Sequence, residues 1–460
     1  MTNQQRLHSW RGFWNESNGK PCHVITYYVK MGTIESTLKD LEIAKEILIH
    51  HGDSIGNKEL TSITHDGLAK IDAHMGLSKT SFAQIIRDAY YVERFTVKTY
   101  ADPQQEHALV SIYDTGRNGL QTVALLNKLG VNVLGANLLD TTTINMTPNQ
   151  YRKLTETAPY LVAMSLKDML ELKFEPDSNQ IDDQFVPSIP TPANEPTIGV
   201  IDTCFDEKNA YFSKWVEYHN ELDSQIDINP KDLVHGTEVT SLIVDGPTLN
   251  PALDDGCGRF RVRHFAVAKS GNNSSFTIMK TIRNIVSNNP DIKVWNLSLG
   301  SRLESPKNTI SPEAAMLDKL QNEYDIVFVV AGTNKTQKDS RIKPKRIGAP
   351  ADSINSLVVN ATSILKEPAS YTREGPVLNF FRKPDISCFG GDDTEQMAVW
   401  SPQGVALTAG TSFAAPWITR KMAYLIYVMH FSRETAKAML IDAASGWKKI
   451  SADNIKVGYA

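Results

Sequence analysis

The chain is predicted to be an α/β protein: a parallel sheet sandwiched by helices over 197–460, preceded by a small α+β unit and an N-terminal extension. Three observations carry that expectation. Downstream of residue 196, short β-branched runs alternate with stretches of helical periodicity, as βαβ units require. Several of those runs are apolar almost throughout, the mark of strands covered on both faces. A proline-rich stretch, FEPDSNQIDDQFVPSIPTPANEP (174–196), divides this region from a differently patterned one upstream.

The expected strands of the C-terminal region are Thr197–Ile201, Val262–Ala268, Val294–Leu299, Ile326–Val330, Leu357–Ala361 and Val405–Thr408. Helices are expected over Glu238–Val244, Phe276–Val286, Glu313–Glu323 and Ser412–Met429. In the dividing stretch, Pro176, Pro187, Pro190, Pro192 and Pro196 remove backbone donors and fix φ, so residues 171–196 read as an extended linker. Residues 107–170 have a β-α-β-β-α-β rhythm: strands Leu109–Tyr113, Val131–Ala136, Thr143–Asn145 and Tyr160–Ser165, and helices Leu120–Leu129 and Pro148–Ala158. That is a ferredoxin-like split pattern. Thr147 and Gln150 have capping-box spacing, with Pro148 at the first helical position. Residues 1–106 read as mixed or mainly helical, with Ile34–Ile49 and Lys79–Glu93 as helices and no legible role.

Composition narrows the function. With 41% apolar and 22% charged residues the chain is ordinary globular material, long enough for two or three domains. The 27 Gly, 22 Pro and 4 Cys exclude collagen-like, disordered and disulfide-scaffold classes. Lys+Arg 48 against Asp+Glu 52 gives a net charge of −4, which argues against nucleic acid as partner. No run approaches the roughly 20 apolar residues of a membrane span, and none near Met1 resembles a signal peptide. The dispersed Cys22, Cys204, Cys257 and Cys388 read as free thiols, so a cytoplasmic setting is expected. His50, His51, His65 and His74 have no compact metal-ligand spacing; neither a metal nor a cofactor is expected.

Three segments carry chemistry. Asp202 ends the strand in IGVIDTCFDE, where α/β sheets place their sites. His235 heads HGTEVTSLIVDG at a loop-to-helix junction. Ser412 lies in TAGTSFAAPWITRKMAYLI at the start of a helix whose first turn is expected to hold Pro416. A serine hydroxyl is a weak nucleophile until a base takes its proton, and the base must be oriented and charge-balanced. The order Asp…His…Ser differs from the Ser…Asp…His of α/β hydrolases, and the serine segment lacks their G-x-S-x-G elbow.

On these segments the sequence resembles the subtilisin-like serine proteases, the subtilases. IGVIDT resembles the family's aspartate strand, HGTEV its histidine box and GTSFAAP its serine box. VWNLSLGS (294–301), RIGAPADSINSLVVNAT (346–362) and YTREGPV…KPDISCFGG (371–391) are similar to further family segments, so the likeness covers about 196–445. It implies a subtilisin-like fold and a serine endopeptidase of polypeptide substrates. Asp202 would orient His235, and His235 would act as base and then acid for Ser412 through an acyl-enzyme. The oxyanion would be held by Ser412 N–H and by Asn334, with Thr333 as rival for the second donor. An extended substrate would pair with Ser298, Leu299 and Gly300 on one side and Ser270, Gly271 and Asn272 on the other. Where the family has Gly, Cys204 follows Asp202 by two residues; a thiol there would expose activity to mercurials. Glu238 stands where many members have a second His. Asp254-Asp255 and Asp392-Asp393 read as solvated turns rather than a calcium loop. INMTPNQYRKLTETAPYLVAMSLKD (144–168) resembles the end of a subtilase propeptide, which implies a retained or conditionally cut inhibitory unit; the large N-terminal region without a legible role also suggests a regulatory protein partner contacting 1–170. A catalytically silent binding module of the same fold is the alternative.

Overall fold

The computed structural model describes residues 11–14, 21–24, 31–50, 54–56, 58, 60, 77–91, 108–112, 116, 118–158, 161–167, 179–180, 186–270, 273–301, 303–305, 309–335, 345–378 and 380–445. Gly271, Asn272, His51, His65 and His74 lie outside them, as does the side chain of His50. The chain divides into two compact units, one of residues 1–9 and 25–102, the other of 10–24 and 103–460.

In the first unit, α1 (Met31–His50) and α2 (Lys79–Tyr91) share a small core of Ala44, Ile47, Leu60, Phe82 and Ala83. The larger unit opens with an antiparallel pair, β1 (Arg11–Trp14) and β2 (Pro21–Val24). Next comes a three-stranded antiparallel sheet of β3 (Ala108–Ile112), β4 (Thr143–Met146) and β5 (Val162–Lys167), with β3 in the middle. Helices α3 (Gly119–Lys128) and α4 (Pro148–Thr157) alternate with these strands. The capping box forms: Thr147 N–H donates to Gln150 Oε1 at 2.8 Å and Gln150 N–H to Thr147 Oγ1 at 3.3 Å. The strand expected at Val131–Ala136 does not. Its backbone is satisfied locally instead, with Val133 N–H on Asn127 Oδ1 and Leu134 N–H on Asn137 Oδ1, and it runs into a 3₁₀ turn at Gly135–Asn137. Side-chain acceptors that compete for backbone donors displace a ladder in this way.

The main sheet has seven strands: β7 (Thr197–Asp202), β8 (Val216–Asn220), β9 (Arg261–Ala266), β10 (Val294–Leu297), β11 (Val327–Ala331), β12 (Leu357–Thr362) and β13 (Ile386–Phe389). Their order is β13-β12-β11-β10-β7-β9-β8, and every neighbouring pair is parallel. Alternate residues feed two cores. Ile198, Val200, Val327, Val329, Leu357 and Val359 point to one, packed by α5 (Val234–Leu249) and α8 (Thr411–Ala423). Ile201, Trp295, Leu297, Phe328, Val330 and Val358 point to the other, packed by α6 (Ser275–Asn288) and α7 (Pro312–Tyr324). The two-faced burial accounts for the continuous apolar runs in the sequence. A final helix, α9 (Arg433–Ser445), follows α8.

Three details depart from expectation. Val405–Thr408 does not join the parallel sheet; with Gly404 it forms β15 (Gly404–Thr408), paired antiparallel with β14 (Met397–Ser401). The linker is partly built into the fold. Its Asn179–Gln180, β6, pairs with Ala406 and Leu407 of β15, and Pro190 C=O accepts from the Trp215 indole at 2.9 Å. Asp255 is not solvated: Arg420, also sealed from solvent, donates from Nε to Asp255 Oδ2 and from Nη2 to Oδ1, both at 2.9 Å. The guanidinium also meets the carbonyls of Ile243 and Gly258 and lies near the Trp417 and Phe260 rings. Asp392, by contrast, keeps its turn, accepting from Thr394 and Glu395.

Removing one member of a buried ion pair strands the other. Arg420→Met should therefore lower unfolding free energy by about 3–5 kcal/mol, measured by urea titration. A loss below 1 kcal/mol would show that Asp255 finds another partner or water.

Candidate active site

Strand β7 delivers Asp202 to the carboxyl end of the sheet. From β7 the chain first adds β8 and β9 on one side, then turns to β10 on the other, and such a switch opens a crevice outside the strand ends. Asp202 is fully buried. Its Oδ1 accepts from Thr203 N–H at 2.7 Å and from His235 Nδ1 at 2.6 Å. Because a carboxylate only accepts, His235 carries its proton on Nδ1, which leaves Nε2 as the basic nitrogen of the neutral ring.

The residues around His235 explain its box. A Cβ on Gly236 would lie 2.6 Å from the carbonyls of Thr203 and Cys204, so only glycine lets α5 approach the end of β7 this closely. Gly236 N–H donates to Thr203 Oγ1 at 2.9 Å. Thr237 Oγ1 donates to Leu233 C=O at 2.6 Å and accepts from Asp206 N–H at 2.9 Å. The box thus clamps the imidazole's helix to the aspartate's loop.

Burial opposes charge on His235, but the Asp202 carboxylate, through its charge and its hydrogen bond, and the buried Glu238 outweigh it, and His235 titrates above its ordinary value. His264 on β9 is a neighbour that sequence reasoning missed. It donates from Nε2 to Thr203 C=O at 2.7 Å and accepts from Thr240 Oγ1 at 2.9 Å, a neutral ring whose titration burial pushes down. Cys204 is fully buried, and burial raises its thiol above the ordinary value.

Ser412 is half-buried in the first turn of α8. Pro416 sits in the second turn rather than the first. It has no N–H for the carbonyl four residues back, which is that of Ser412. Ser298 Oγ supplies the missing donor at 3.2 Å. A buried chain continues from there: Asn296 Nδ2 donates to Ser298 Oγ at 3.0 Å, and Thr419 Oγ1 to Asn296 Oδ1 at 2.9 Å. Ser412 Oγ donates in turn to Ser298 C=O at 3.4 Å. The next residue, Phe413, sets its ring 5.7 Å from the His235 ring, so the serine turn and the imidazole are neighbours.

Asn334, exposed at the end of β11, accepts through Oδ1 from Thr411 N–H at 3.2 Å and Thr411 Oγ1 at 2.9 Å. Its amide nitrogen is the group left for a ligand. Thr333 differs: its hydroxyl donates to Gly332 C=O at 2.6 Å and accepts from Gly348 N–H at 3.0 Å. Below them, fully buried Arg373 donates to Asn334 C=O at 2.9 Å and to Ser301 C=O at 3.1 Å. Leu299 is buried and Gly300 half-buried. Ser270 N–H is committed to Asp232 Oδ1 at 2.8 Å.

A family comparison meets this geometry: residues 193–459 match the subtilase family profile, Peptidase_S8. The chain belongs to the subtilase family. It is a serine-type endopeptidase, and its substrates are polypeptides. No curated protein matches it. Among solved structures, a serine-to-alanine mutant of the epidermin leader peptide processing serine protease of Staphylococcus aureus aligns with TM-score 0.53 and 16% identity, over 76% of this chain and 96% of that one. The unmutated Staphylococcus protein gives 0.49 and 16%, over 73% and 91%. A lanthipeptide protease gives 0.44 and 18%, over 58% and 84%. The first of these likenesses speaks to the fold. Among the described residues no group of side chains has metal-ligand geometry, and no helix is long and apolar enough to cross a membrane.

The proton NMR titration of His235 should give a midpoint above the ordinary value near 6.5, and Asp202→Asn should lower it. A raised histidine contributes stability that is present below 6.5 and fades as pH climbs through the higher folded value. A midpoint at or below 6.5 in the wild type would contradict the pairing.

Proposed function

We propose that this subtilase cleaves peptide bonds with Ser412 as nucleophile, His235 as general base and then acid, and Asp202 as the group that orients and charge-balances the imidazole. The observation that carries the reading is the 2.6 Å bond from His235 Nδ1 to Asp202. It fixes the tautomer in which Nε2 can take the Ser412 proton. The Ser412 oxygen then bonds to the carbonyl carbon of the substrate. The proton passes from His235 to the departing amine, and water repeats the sequence to free the acid. The developing oxyanion would be met by Ser412 N–H, among the donors that a helix leaves unpaired at its N-terminus, and by the Asn334 amide. Thr333 is the weaker rival, because its hydroxyl proton is already spent on Gly332. A substrate strand would lie along Ser298, Leu299 and Gly300, with the 270–272 segment opposite.

Labelling by a fluorophosphonate tests this directly, since only an activated serine reacts. Wild-type protein should label at Ser412, and Ser412→Ala should neither label nor cleave, with kcat down by about 10⁶ as in subtilisin. The acid limb of kcat/KM should follow the raised His235 titration, activity rising with pH. Absence of labelling both in wild type and after Lys280, Arg283 and Lys319 are replaced by Ala would favour the silent binding module.

We further propose that residues 107–170 hold the enzyme latent. Supporting this, the segment between α3 and β4 is fastened to α6 and α7. Arg283 Nη1 donates to Leu139 C=O at 2.7 Å, Lys280 Nζ to Ala136 C=O at 3.2 Å, and Lys319 Nζ lies 3.3 Å from Asp140. Leu139 is buried in the α6–α7 core. An intracellular setting agrees with free Cys204, Cys257 and Cys388; a disulfide in the purified protein would contradict it. Replacing Lys280, Arg283 and Lys319 together by Ala should raise casein hydrolysis several-fold. Unchanged activity, with wild type and Ser412→Ala both full length by mass spectrometry, would remove the latency reading.

A further inference from the structure

Thr333 is held in a conformation that its residue type resists. Its φ is +68°, and the other non-glycine residues described with positive φ are Asp325, Lys366, Leu378 and His430, none of them β-branched. A β-branched residue is strained there, and such strain persists where surroundings enforce it. The two hydroxyl bonds, to Gly332 C=O and from Gly348 N–H, do the enforcing. With the hydroxyl committed, the methyl Cγ2 is turned toward Gly300. A Cβ on Gly300 would overlap it, so this position tolerates only glycine while Thr333 stays as it is.

That methyl stands between the two segments that flank the serine. Gly300 follows by two residues Ser298, whose carbonyl accepts from Ser412 Oγ at 3.4 Å. Thr333 precedes Asn334, whose side chain is bonded to Thr411. Ser412 and Gly300 are half-buried and Asn334 exposed, whereas Thr333 is only 6% exposed. Solvent therefore reaches the first three, while the Thr333 methyl stands buried against Gly300. A carbonyl carbon at Ser412, with its oxygen toward Asn334, carries its side chain on the next atom, one bond of about 1.5 Å away. In that pose the side chain would lie toward the Gly300–Thr333 contact.

We propose that Thr333 sets substrate specificity: its methyl, packed over Gly300, restricts the residue on the carbonyl side of the cleaved bond to small side chains such as Gly, Ala or Ser. The proposal rests on Ser412 being the nucleophile, and the test separates the two claims.

The probes are α-aminoalkyl diphenyl phosphonates with Ala-, Leu- or Phe-type side chains, which form an O–P bond to the serine and release phenol. A fluorophosphonate without a recognition side chain is the reference. Wild type should label at least tenfold faster with the Ala-type probe than with the Phe-type. Thr333→Ser keeps the hydroxyl and removes only the methyl; Thr333→Gly removes both. Each should raise the Phe-to-Ala labelling ratio at least tenfold, within the 10- to 200-fold that a hydrophobic pocket gains or loses per methylene. The ratio is internal to each variant, so a change in overall reactivity does not affect it. A wild type that takes the Phe-type probe as fast as the Ala-type overturns the proposal, as does a ratio unmoved in both variants. Resistance to the fluorophosphonate both in wild type and with Lys280, Arg283 and Lys319 replaced by Ala overturns the nucleophile assignment instead.

Discussion

Pro416 has no N–H, and the carbonyl left over is that of Ser412. Ser298 Oγ fills the gap and thereby ties the first turn of α8 to the end of β10. The same hydroxyl takes the Asn296 amide, which takes the Thr419 hydroxyl two turns further along the same helix. A helix that would otherwise slide on the sheet is pinned at two points by one buried polar ladder. Buried networks of this kind are valuable when every member is satisfied and costly when one is missing. The position of Ser412 relative to the strand ends depends on it.

The acid and imidazole are placed by a different device, close backbone approach. Gly236 lets α5 touch the loop after β7, and the Thr203 and Thr237 hydroxyls lock that contact from both sides. His264 bonds to the Thr203 carbonyl and removes one more freedom from the loop. Asp202 then meets His235 without either side chain having to search. The carboxylate is buried, and its paired partner is a group whose protonation it favours.

Much of this is legible in the sequence because the motif residues are those that the backbone forces. Gly236 and Thr237 each answer a steric or hydrogen-bond demand made by a neighbour in space, and Pro416 makes one that Ser298 answers, so all three stand beside His235 or Ser412 in the sequence. The parallel strands are legible because burial on two faces leaves them uniformly apolar. What escaped has no such local mark. VEYHN of β8 is an edge strand in which Glu217, His219 and Asn220 are polar, and ISCF of β13 is too short to show a period. Asn179–Gln180 joins a sheet only through a hairpin more than 200 residues later. Asp255 reads as one of two turn acids until Arg420, 165 positions away, is found against it. At Val131–Ala136 the apolar pattern suits a strand, but two asparagine side chains claim the backbone first.

The pairing of β6 with β15 also has a bearing on solubility. Hairpin β14–β15 would otherwise present a row of open amides and carbonyls, a ready template for another copy of the molecule. Two residues of the linker occupy part of that border. Loss of the linker would therefore bare a sticky edge close to the serine turn, and the trimmed protein would tend to self-associate unless a partner's strand took the vacated place.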